Sequence, residues 1–247
     1  MLKDFTRTLV GIAIIGLAAA VSGCDAASIT IDGAKGVPLA QLDLSGKAPE
    51  EITLLGPDRV HIARGDSLTI TVEGEQPVKD KLRFTLKDGN LGIARDSWKT
   101  DGGDNGVATI NVTVPDAREL VLAGSGQIDI DSLEAEKAKL TIAGSGTINA
   151  TAIATKELKV DVVGSGKLRG AGKVDTLEMT IAGSCDAQLD GLNAGSAKID
   201  VAGSGNTRFA SDGEVKANIM GSGEVRVKGR ATCKVSSMGS GRLVCEP

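Results

Sequence analysis

Two aspartates, Asp161 and Asp200, occupy equivalent places in a repeating pattern and are separated by two repeats. On stacked parallel strands this spacing would hold the carboxylates about 9 to 10 Å apart, near the separation of an inverting glycosidase pair. The equivalent positions in other repeats are Val121, Thr141 and Asn218, with no aromatic platform for a sugar and no basic cluster beside them. We therefore interpret the two aspartates as part of a solvated strand face and predict no catalytic residue.

His61 is the only histidine in the chain, so counting excludes a multi-histidine metal site and a serine–histidine triad is not indicated. Calcium-binding β-rolls carry an aspartate ligand at the same position of every repeat. In this chain the corresponding residues, such as Gln127, Thr147 and Lys167, differ in type from one repeat to the next. We predict neither a metal nor a cofactor. A carbohydrate-active lyase or hydrolase remains the alternative class, because stacked parallel strands can carry such sites.

Cys24 follows a basic start, an apolar run from Leu9 to Val21 and small residues, which is the layout of a secretory signal. Residues 1–23 are predicted to be the signal peptide. The segment Val21-Ser22-Gly23-Cys24 resembles a bacterial lipobox, so Cys24 is the predicted lipidation site; the alternative is ordinary cleavage nearby, for example after Ala26. Residues 24–49 are predicted to be a tether or a first irregular strand. An exported, membrane-anchored protein of the periplasm or cell envelope is expected, with the choice of membrane left open.

The segment Gly-Ser-Gly recurs seven times from residue 124 onward, once as Gly-Ser-Cys, at spacings of 20, 20, 19, 20, 18 and 18 residues. A period near 20 residues without helical periodicity is typical of a stacked β-solenoid, in which one repeat forms one coil. Residues 50–117 lack the motif but keep the strand alternation, so they predict β-rich N-terminal coils. The first glycines of the copies are Gly124, Gly144, Gly164, Gly183, Gly203, Gly221 and Gly239.

Almost all residues two and four positions before the first glycines, and four and six positions after them, are apolar, while most odd positions are polar. This alternation predicts strands with one inward face, because a one-residue slip would exchange the faces. By the same parity both glycines face inward and the serine faces outward. The columns before the glycine are Leu120, Leu140, Val160, Met179, Ile199, Ala217 and Val235, then Leu122, Ile142, Val162, Ile181, Val201, Ile219 and Ser237.

The outward serines are predicted to form a surface ladder roughly 30 Å long, because adjacent coils lie about 4.8 Å apart. Repeated hydroxyls on one face could bind an extended partner. The alternative is that these hydroxyls bond the corner backbone and each other. The predicted ladder consists of Ser125, Ser145, Ser165, Ser184, Ser204, Ser222 and Ser240.

Cys233 and Cys245 lie six residues before and six residues after Gly239, in two columns that are otherwise mainly apolar and inward. Their sulfurs should therefore project into the same layer, and export would place them in an oxidising compartment. We predict a disulfide that closes the last coil, which has no neighbour to cover it. The alternative is a pair of buried free thiols.

Four features follow one another along the chain from about residue 50 to the end. They are a strand pair at Val60 to Val72 around Gly65-Asp66, the turn Lys87-Asp88-Gly89-Asn90, the alternating run 110–115 and the serial Gly-Ser-Gly repeats. In this order they resemble the head GIN domain family of autotransporter adhesin heads. The resemblance implies a single-stranded, right-handed parallel β-helix in an exported protein, and it brings no catalytic residues.

The composition and these patterns together favour a binding role. The chain contains 33 glycines and no tyrosine and has a net charge of −4, and no basic run marks a nucleic-acid partner. We expect residues 50–247 to form a non-enzymatic, adhesin-like solenoid that presents a surface to a protein or polysaccharide. A purely structural envelope scaffold is the neighbouring alternative. The oligomeric state does not follow from the sequence.

Overall fold

The computed structural model describes residues 30–96 and 106–247, and most of these residues form strands stacked in parallel coils. The predicted all-β solenoid is confirmed, and the seven Gly-Ser-Gly corners bound about six turns. The predicted signal peptide, residues 1–23, lies outside the described residues, as does Cys24. No helix among the described residues is long and apolar enough to cross a membrane.

The strands before the repeats are short and pair both with each other and with the first coils. Asp88 and Gly89 have φ angles of 52° and 82° and form the predicted hairpin turn. The elements are β1 (Thr30–Ile31), β2 (Ala34–Lys35), β3 (Glu51–Leu55), β4 (Arg59–Arg64), β5 (Thr69–Glu73), helix α1 (Gln76–Asp80), β6 (Leu82–Lys87), β7 (Asn90–Arg95) and β8 (Thr109–Val114).

The repeats form the body of the solenoid, in which most residues pair with their equivalents one coil away and the register shifts in the middle of β11 to β13. Ile142, for example, pairs with Leu122 on one side and with Val162 on the other. The strands are β9 (Glu119–Gly124), β10 (Gln127–Gly144), β11 (Thr147–Gly164), β12 (Lys167–Gly183), β13 (Asp186–Gly203), β14 (Asn206–Ser211), β15 (Glu214–Gly221), β16 (Glu224–Lys228), β17 (Thr232–Gly239) and β18 (Arg242–Glu246).

The apolar core runs along the solenoid axis, and the predicted inward columns line it. In the first six coils the residues two and four positions before the first glycine are at most 3% exposed. Leu133 and Ile153, in the middle of the long strands β10 and β11, add a further buried layer. Burying each such aliphatic side chain contributes roughly 1.5 to 3 kcal/mol, so regular layers can stabilise a protein with few aromatic residues.

The last coil departs from the predicted burial. The terminal coil, residues 232–246, comprises β17, its glycine corner and β18. Val235 is 53% exposed, Ser237 is exposed, and Leu243 and Cys245 are only partly buried. The prediction of a buried inward column is therefore wrong here, because no described strand lies over β17 or β18.

The strands β4 and β5 do not pair with each other, although the sequence predicted a strand pair around Gly65 and Asp66. Instead β8 lies between them, parallel to β4 and antiparallel to β5. The amide of Gly65 also donates to the carbonyl oxygen of Val114, at 3.0 Å. A local pattern predicts that strands exist, but their neighbours depend on contacts that are distant in the sequence.

The end of the stack that carries β6 and β7 is covered. Helix α1 buries Val78, and Phe84 of β6 is 1% exposed. Within the segment predicted as a tether or irregular strand, residues 30–49, Val37 forms a β-bridge with Phe84 and Ile31 is buried. This part of the segment therefore packs against the hairpin.

A buried ion pair joins three segments near this end. Asp58 is fully buried and Arg95 is 7% exposed; the Nε and Nη2 atoms of Arg95 donate to the two Asp58 carboxylate oxygens at 2.8 and 2.5 Å. The backbone N–H of Ala108 donates to the same carboxylate at 2.8 Å, and Arg95 Nη2 also donates to the carbonyl of Gly106. The pair thus ties the corner after β3 to the segments that flank residues 97–105.

Candidate binding surface

The first glycine of each repeat is required by its backbone conformation. Gly144, for example, has a φ of +125°, a region that glycine adopts far more readily than other residues. A Cβ atom at Gly144 would lie 2.5 Å from the carbonyl oxygen of Gly124, one coil below. The missing side chain therefore makes room for the neighbouring corner, so that the coils can stack at the spacing of a β-ladder.

The second glycine of the repeat faces the core, as its parity predicts. A Cβ atom at Gly146 would lie 2.6 Å from the side chain of Leu122, and one at Gly166 would lie 2.5 Å from Ile142. Cys185 occupies the same position in the fourth repeat and is 1% exposed. Space rather than backbone conformation thus governs this position, which explains why one coil holds a small thiol there.

The seven predicted ladder serines are all exposed at this corner. The backbone N–H of Ser145 donates to the carbonyl oxygen of Gly124 at 3.0 Å, and Ser165 makes the equivalent bond to Gly144 at 2.9 Å. These bonds fix the serine backbone, whereas none of the seven hydroxyl groups bonds another described residue. The expected alternative, in which the hydroxyls bond the corner and each other, does not occur among these residues.

A column of small or apolar residues runs beside the serines, and the parity reasoning missed it. These residues immediately precede the first glycines, pair in register and face outward, with Val163 and Met238 being 51% and 61% exposed. The sequence could have revealed this column, because the position directly before the first glycine carries no charged residue in any repeat although it belongs to the outward face. The corner ribbon is the serine ladder together with Ala123, Ala143, Val163, Ala182, Ala202, Met220 and Met238.

One further corner continues this stack, and the repeat search did not find it. Gly56 has a φ of +139° and its N–H donates to the carbonyl oxygen of Ala123 at 2.9 Å. Here Leu55-Gly56-Pro57-Asp58 replaces the Ala-Gly-Ser-Gly of the repeats, and the buried Asp58 stands where the second glycine would be. The corner was missed because only its first glycine is retained.

The aspartates considered for catalysis share an outward column with Thr180 between them, as the register predicted. Asp200 accepts a hydrogen bond from Asn218 at 2.7 Å and lies 3.5 Å from Lys198. Asp161 lies 4.0 Å from Lys159. Both carboxylates are therefore partnered members of a solvated strand face.

His61 lies on β4, between β8 and the start of β10, and its Nε2 atom contacts the Asp131 carboxylate at 3.0 Å. Among residues 30–96 and 106–247, no group of three or more histidine, cysteine or acidic residues could hold a metal ion. A depression of about 410 Å³ in the middle of strands β10 to β12 is lined in part by Glu136 and Lys156, which form an ion pair at 2.5 Å. Its charged groups therefore partly neutralise one another.

The cysteines of the terminal coil, Cys233 and Cys245, are joined by a disulfide with their Cα atoms 6.8 Å apart. Both are partly buried and pack against the end of the core. Cys185 is free and buried, and its desolvation raises the pKa of the thiol to about 12, with a smaller contribution from Asp186. The thiol is therefore poorly suited to act as a nucleophile.

Several solved structures have a fold similar to that of this chain. A putative adhesin from Bacteroides fragilis aligns with a TM-score of 0.73 and 18% identity, over 81% of this chain and 93% of that one. A putative lipid binding protein from Parabacteroides distasonis aligns with a TM-score of 0.62 and 23% identity, over 81% of this chain and 93% of that one. A putative adhesin from the same species aligns with a TM-score of 0.63 and 20% identity, over 82% of this chain and 94% of that one. At these identities the structures establish a shared fold.

No curated protein matches the chain significantly. A family model does match, across residues 48–231, and it covers β3 to β16 together with the corner ribbon of the first six coils. The family is described as a putative auto-transporter adhesin, head GIN domain. The resemblance seen in the sequence is thus confirmed, and the chain belongs to the head GIN domain family.

Proposed function

We propose that this chain is a non-enzymatic, adhesin-like protein of the bacterial cell envelope, and that the corner ribbon is its binding surface. The observation that carries the proposal is the row of seven exposed serines whose hydroxyls have no partner among the described residues. Each hydroxyl can both donate and accept a hydrogen bond. The membership of an adhesin-head family supports the same role.

The chemistry of the ribbon favours an extended partner. Hydroxyls repeat at the spacing of the coils, and the adjacent alanine, valine and methionine column supplies shallow apolar contact. An extended polypeptide or polysaccharide could meet both columns along their length. The ribbon carries no charge, so binding should depend only weakly on salt.

Bulky substitutions in the ribbon test the proposal. Ser145→Trp with Ser165→Trp should abolish retention of envelope proteins or polysaccharides on the immobilised protein, because the indoles would block two adjacent coils. The matched control is Thr151→Trp with Asn193→Trp, which places the same side chains at exposed positions away from the ribbon. Equal retention by both pairs would show that the ribbon is not the binding surface.

A carbohydrate-active enzyme is the competing proposal, and Asp161 and Asp200 are its best candidates. Depolymerisation of cell-wall or capsular polysaccharide by the wild-type chain, lost in Asp161→Asn and Asp200→Asn variants, would replace the binding role by catalysis. We expect no turnover. The partnering of both carboxylates by lysine or asparagine supports this expectation.

Export and lipid anchoring at Cys24 belong to the same proposal. The segment of residues 1–24 has the order of a lipoprotein signal, and attachment there would hold the solenoid at a membrane. Cys24→Ser, or globomycin treatment, should leave an unprocessed precursor. Normal maturation in both cases would show that an ordinary signal peptidase acts and that Cys24 is not lipidated.

A further inference from the structure

The terminal coil exposes an interior layer that every other repeat keeps covered. Val235 is 53% exposed, whereas Ala217, its equivalent one coil below, is 1% exposed. Among the described strands β17 pairs only with β15, and β18 pairs only with β16. Two edge strands therefore present unpaired backbone donors and acceptors beside an open apolar layer, a combination that favours pairing with another chain.

The opposite end of the molecule is built differently: helix α1 and the β6–β7 hairpin bury Val78 and Phe84, and the edge strand β5 runs antiparallel to its neighbour β8. The terminal coil of a second copy instead presents the same two edge strands and the same open apolar layer, so it can pair with both strands at once. Such a contact uses the same patch twice and closes after two copies.

A two-fold axis through Ser240 brings complementary residues together. The corner at residues 239–241 separates β17 from β18, so rotation about its centre lays β18 of one copy antiparallel along β17 of the other. Residues equally distant from Ser240 then face each other. On the inward face Val235 meets Cys245 of the second copy, and Ser237 meets Leu243 of the second copy, so the parity of both strands is preserved.

The outward residues of this pairing are also complementary. Lys234 stands six residues before Ser240 and Glu246 stands six residues after it, so each lysine faces a glutamate of the other copy. Glu246 has no ion-pair partner within 4.0 Å among the described residues, while the Lys234 Nζ atom lies 2.6 Å from Glu214 of its own chain. Arg242 faces Met238, so no two like charges are opposed.

We propose that the terminal coil is the interface of a closed homodimer in which β17 and β18 of two copies pair antiparallel about Ser240. The dimer extends both sheets across the interface and covers the open apolar layer from both sides. Lys234 and Glu246 form two symmetric ion pairs that fix the register. The proposal does not depend on the corner ribbon acting as a binding surface.

A charge swap tests the interface in the full-length chain, by sedimentation equilibrium in a mild detergent. Wild type should be dimeric. Lys234→Glu and Glu246→Lys should each raise the dimer dissociation constant by roughly tenfold or more, because each places two like-charged pairs at the interface. The double variant Lys234→Glu/Glu246→Lys should restore dissociation close to the wild-type value.

The matched control is Lys216→Glu, one coil below Lys234 in the same column and also in contact with Glu214, at 3.0 Å. It should leave the dimer intact, which separates a loss of intramolecular pairing from a loss of the interface. A wild-type chain that stays monomeric up to about 100 μM overturns the proposal. So does a dimer that resists both single substitutions, a double variant that stays monomeric, or assembly beyond two copies.

Discussion

The two ends of the solenoid show how the same strand pattern acquires different roles. At the end carrying the hairpin and α1, Phe84 and Val78 cover the core, and the buried Asp58–Arg95 pair joins the segments. At the other end the terminal coil leaves Val235 half exposed and is closed by a disulfide. The burial of a residue in this fold is therefore decided by the adjacent coil more than by its own, as expected for a stack with nearest-neighbour contacts.

The largest expected effect compares two residues of one column. Ile142→Asp should destabilise the fold by at least about 4 kcal/mol, because it places an unpaired charge in a fully covered layer. In the monomer Ser237→Asp, two positions before the glycine of the terminal coil, should cost only about 1 kcal/mol, because this position is exposed there and loses only the hydrogen bond from its hydroxyl to the Gly241 carbonyl oxygen. Urea denaturation followed by circular dichroism, at a protein concentration at which the chain is monomeric, measures both.

The outward control for this comparison is Lys159→Asp, which should also be nearly silent. Lys159 is partly exposed and lies 4.0 Å from Asp161, a contact of little energetic weight at a surface. Similar losses of stability in Ile142→Asp and Lys159→Asp would contradict the assignment of inward and outward faces.

The next effect concerns the covered end. Arg95→Met should destabilise the fold by about 3 kcal/mol, because the buried Asp58 carboxylate would lose its cation and keep the Ala108 N–H. Arg64→Met is the matched control, since Arg64 pairs with Glu134 at the surface and should contribute less than about 1 kcal/mol. Equal shifts in the unfolding midpoint would mean that the buried pair does not hold this end together.

The disulfide should matter mainly to the terminal coil. Replacing Cys233 and Cys245 by serine removes a loop constraint of up to about 3 kcal/mol, so amide hydrogens in β17 and β18 should exchange up to roughly 100-fold faster. Exchange in β11, several coils away, should not change. An increase spread over all coils would show that the stack unfolds as one cooperative unit.

Mass spectrometry of non-reduced peptides provides the chemical test of the pairing. A linked peptide containing Cys233 and Cys245 is expected, and Cys185 serves as the free-thiol control. Alkylation of both terminal-coil cysteines in unfolded, unreduced protein would rule the bridge out.

The smallest effect is a pH dependence at Cys185. Burial raises the pKa of this thiol from 9.0 to about 12, so the unfolded chain ionises first as the pH increases. The protonated thiol contributes fully to the free energy of unfolding below the pKa of the unfolded chain. This contribution is lost as the pH rises from the pKa of the unfolded chain toward that of the folded chain. Stability should fall by about 1 kcal/mol more between pH 8 and 10 in wild type than in Cys185→Ala. An identical pH dependence in both chains would contradict the shifted pKa.

Much of the fold could be predicted because its signals are local and repeated. The glycine spacing gives one coil per repeat, the alternation assigns each side chain to a face, and Asp88-Gly89 predicts a two-residue hairpin turn. The candidate surface followed equally directly, because the position of Ser145 in its repeat places it outward at the corner. Repetition averages out local irregularity, which makes a stacked fold easier to recognise than one built from unlike elements.

The remaining features depend on which segments meet in space. The insertion of β8 between β4 and β5, the corner at Gly56 and the pairing of Asp58 with Arg95 join residues that are far apart in the sequence. No periodicity connects these residues, so their pairing could not be inferred from pattern alone.

The sequence by itself determined the architecture, the inward and outward faces and the row of serines. Only the tertiary structure decided which serine hydroxyls lack partners, which inward residues are covered and how each end of the stack is closed. The physical reason is that the alternation along a strand fixes the face to which a side chain points. Its exposure and its hydrogen bonds depend on which residues of the neighbouring coil lie against that face. For Val235 that neighbour is absent among the described residues, and for Ile142 it is another coil.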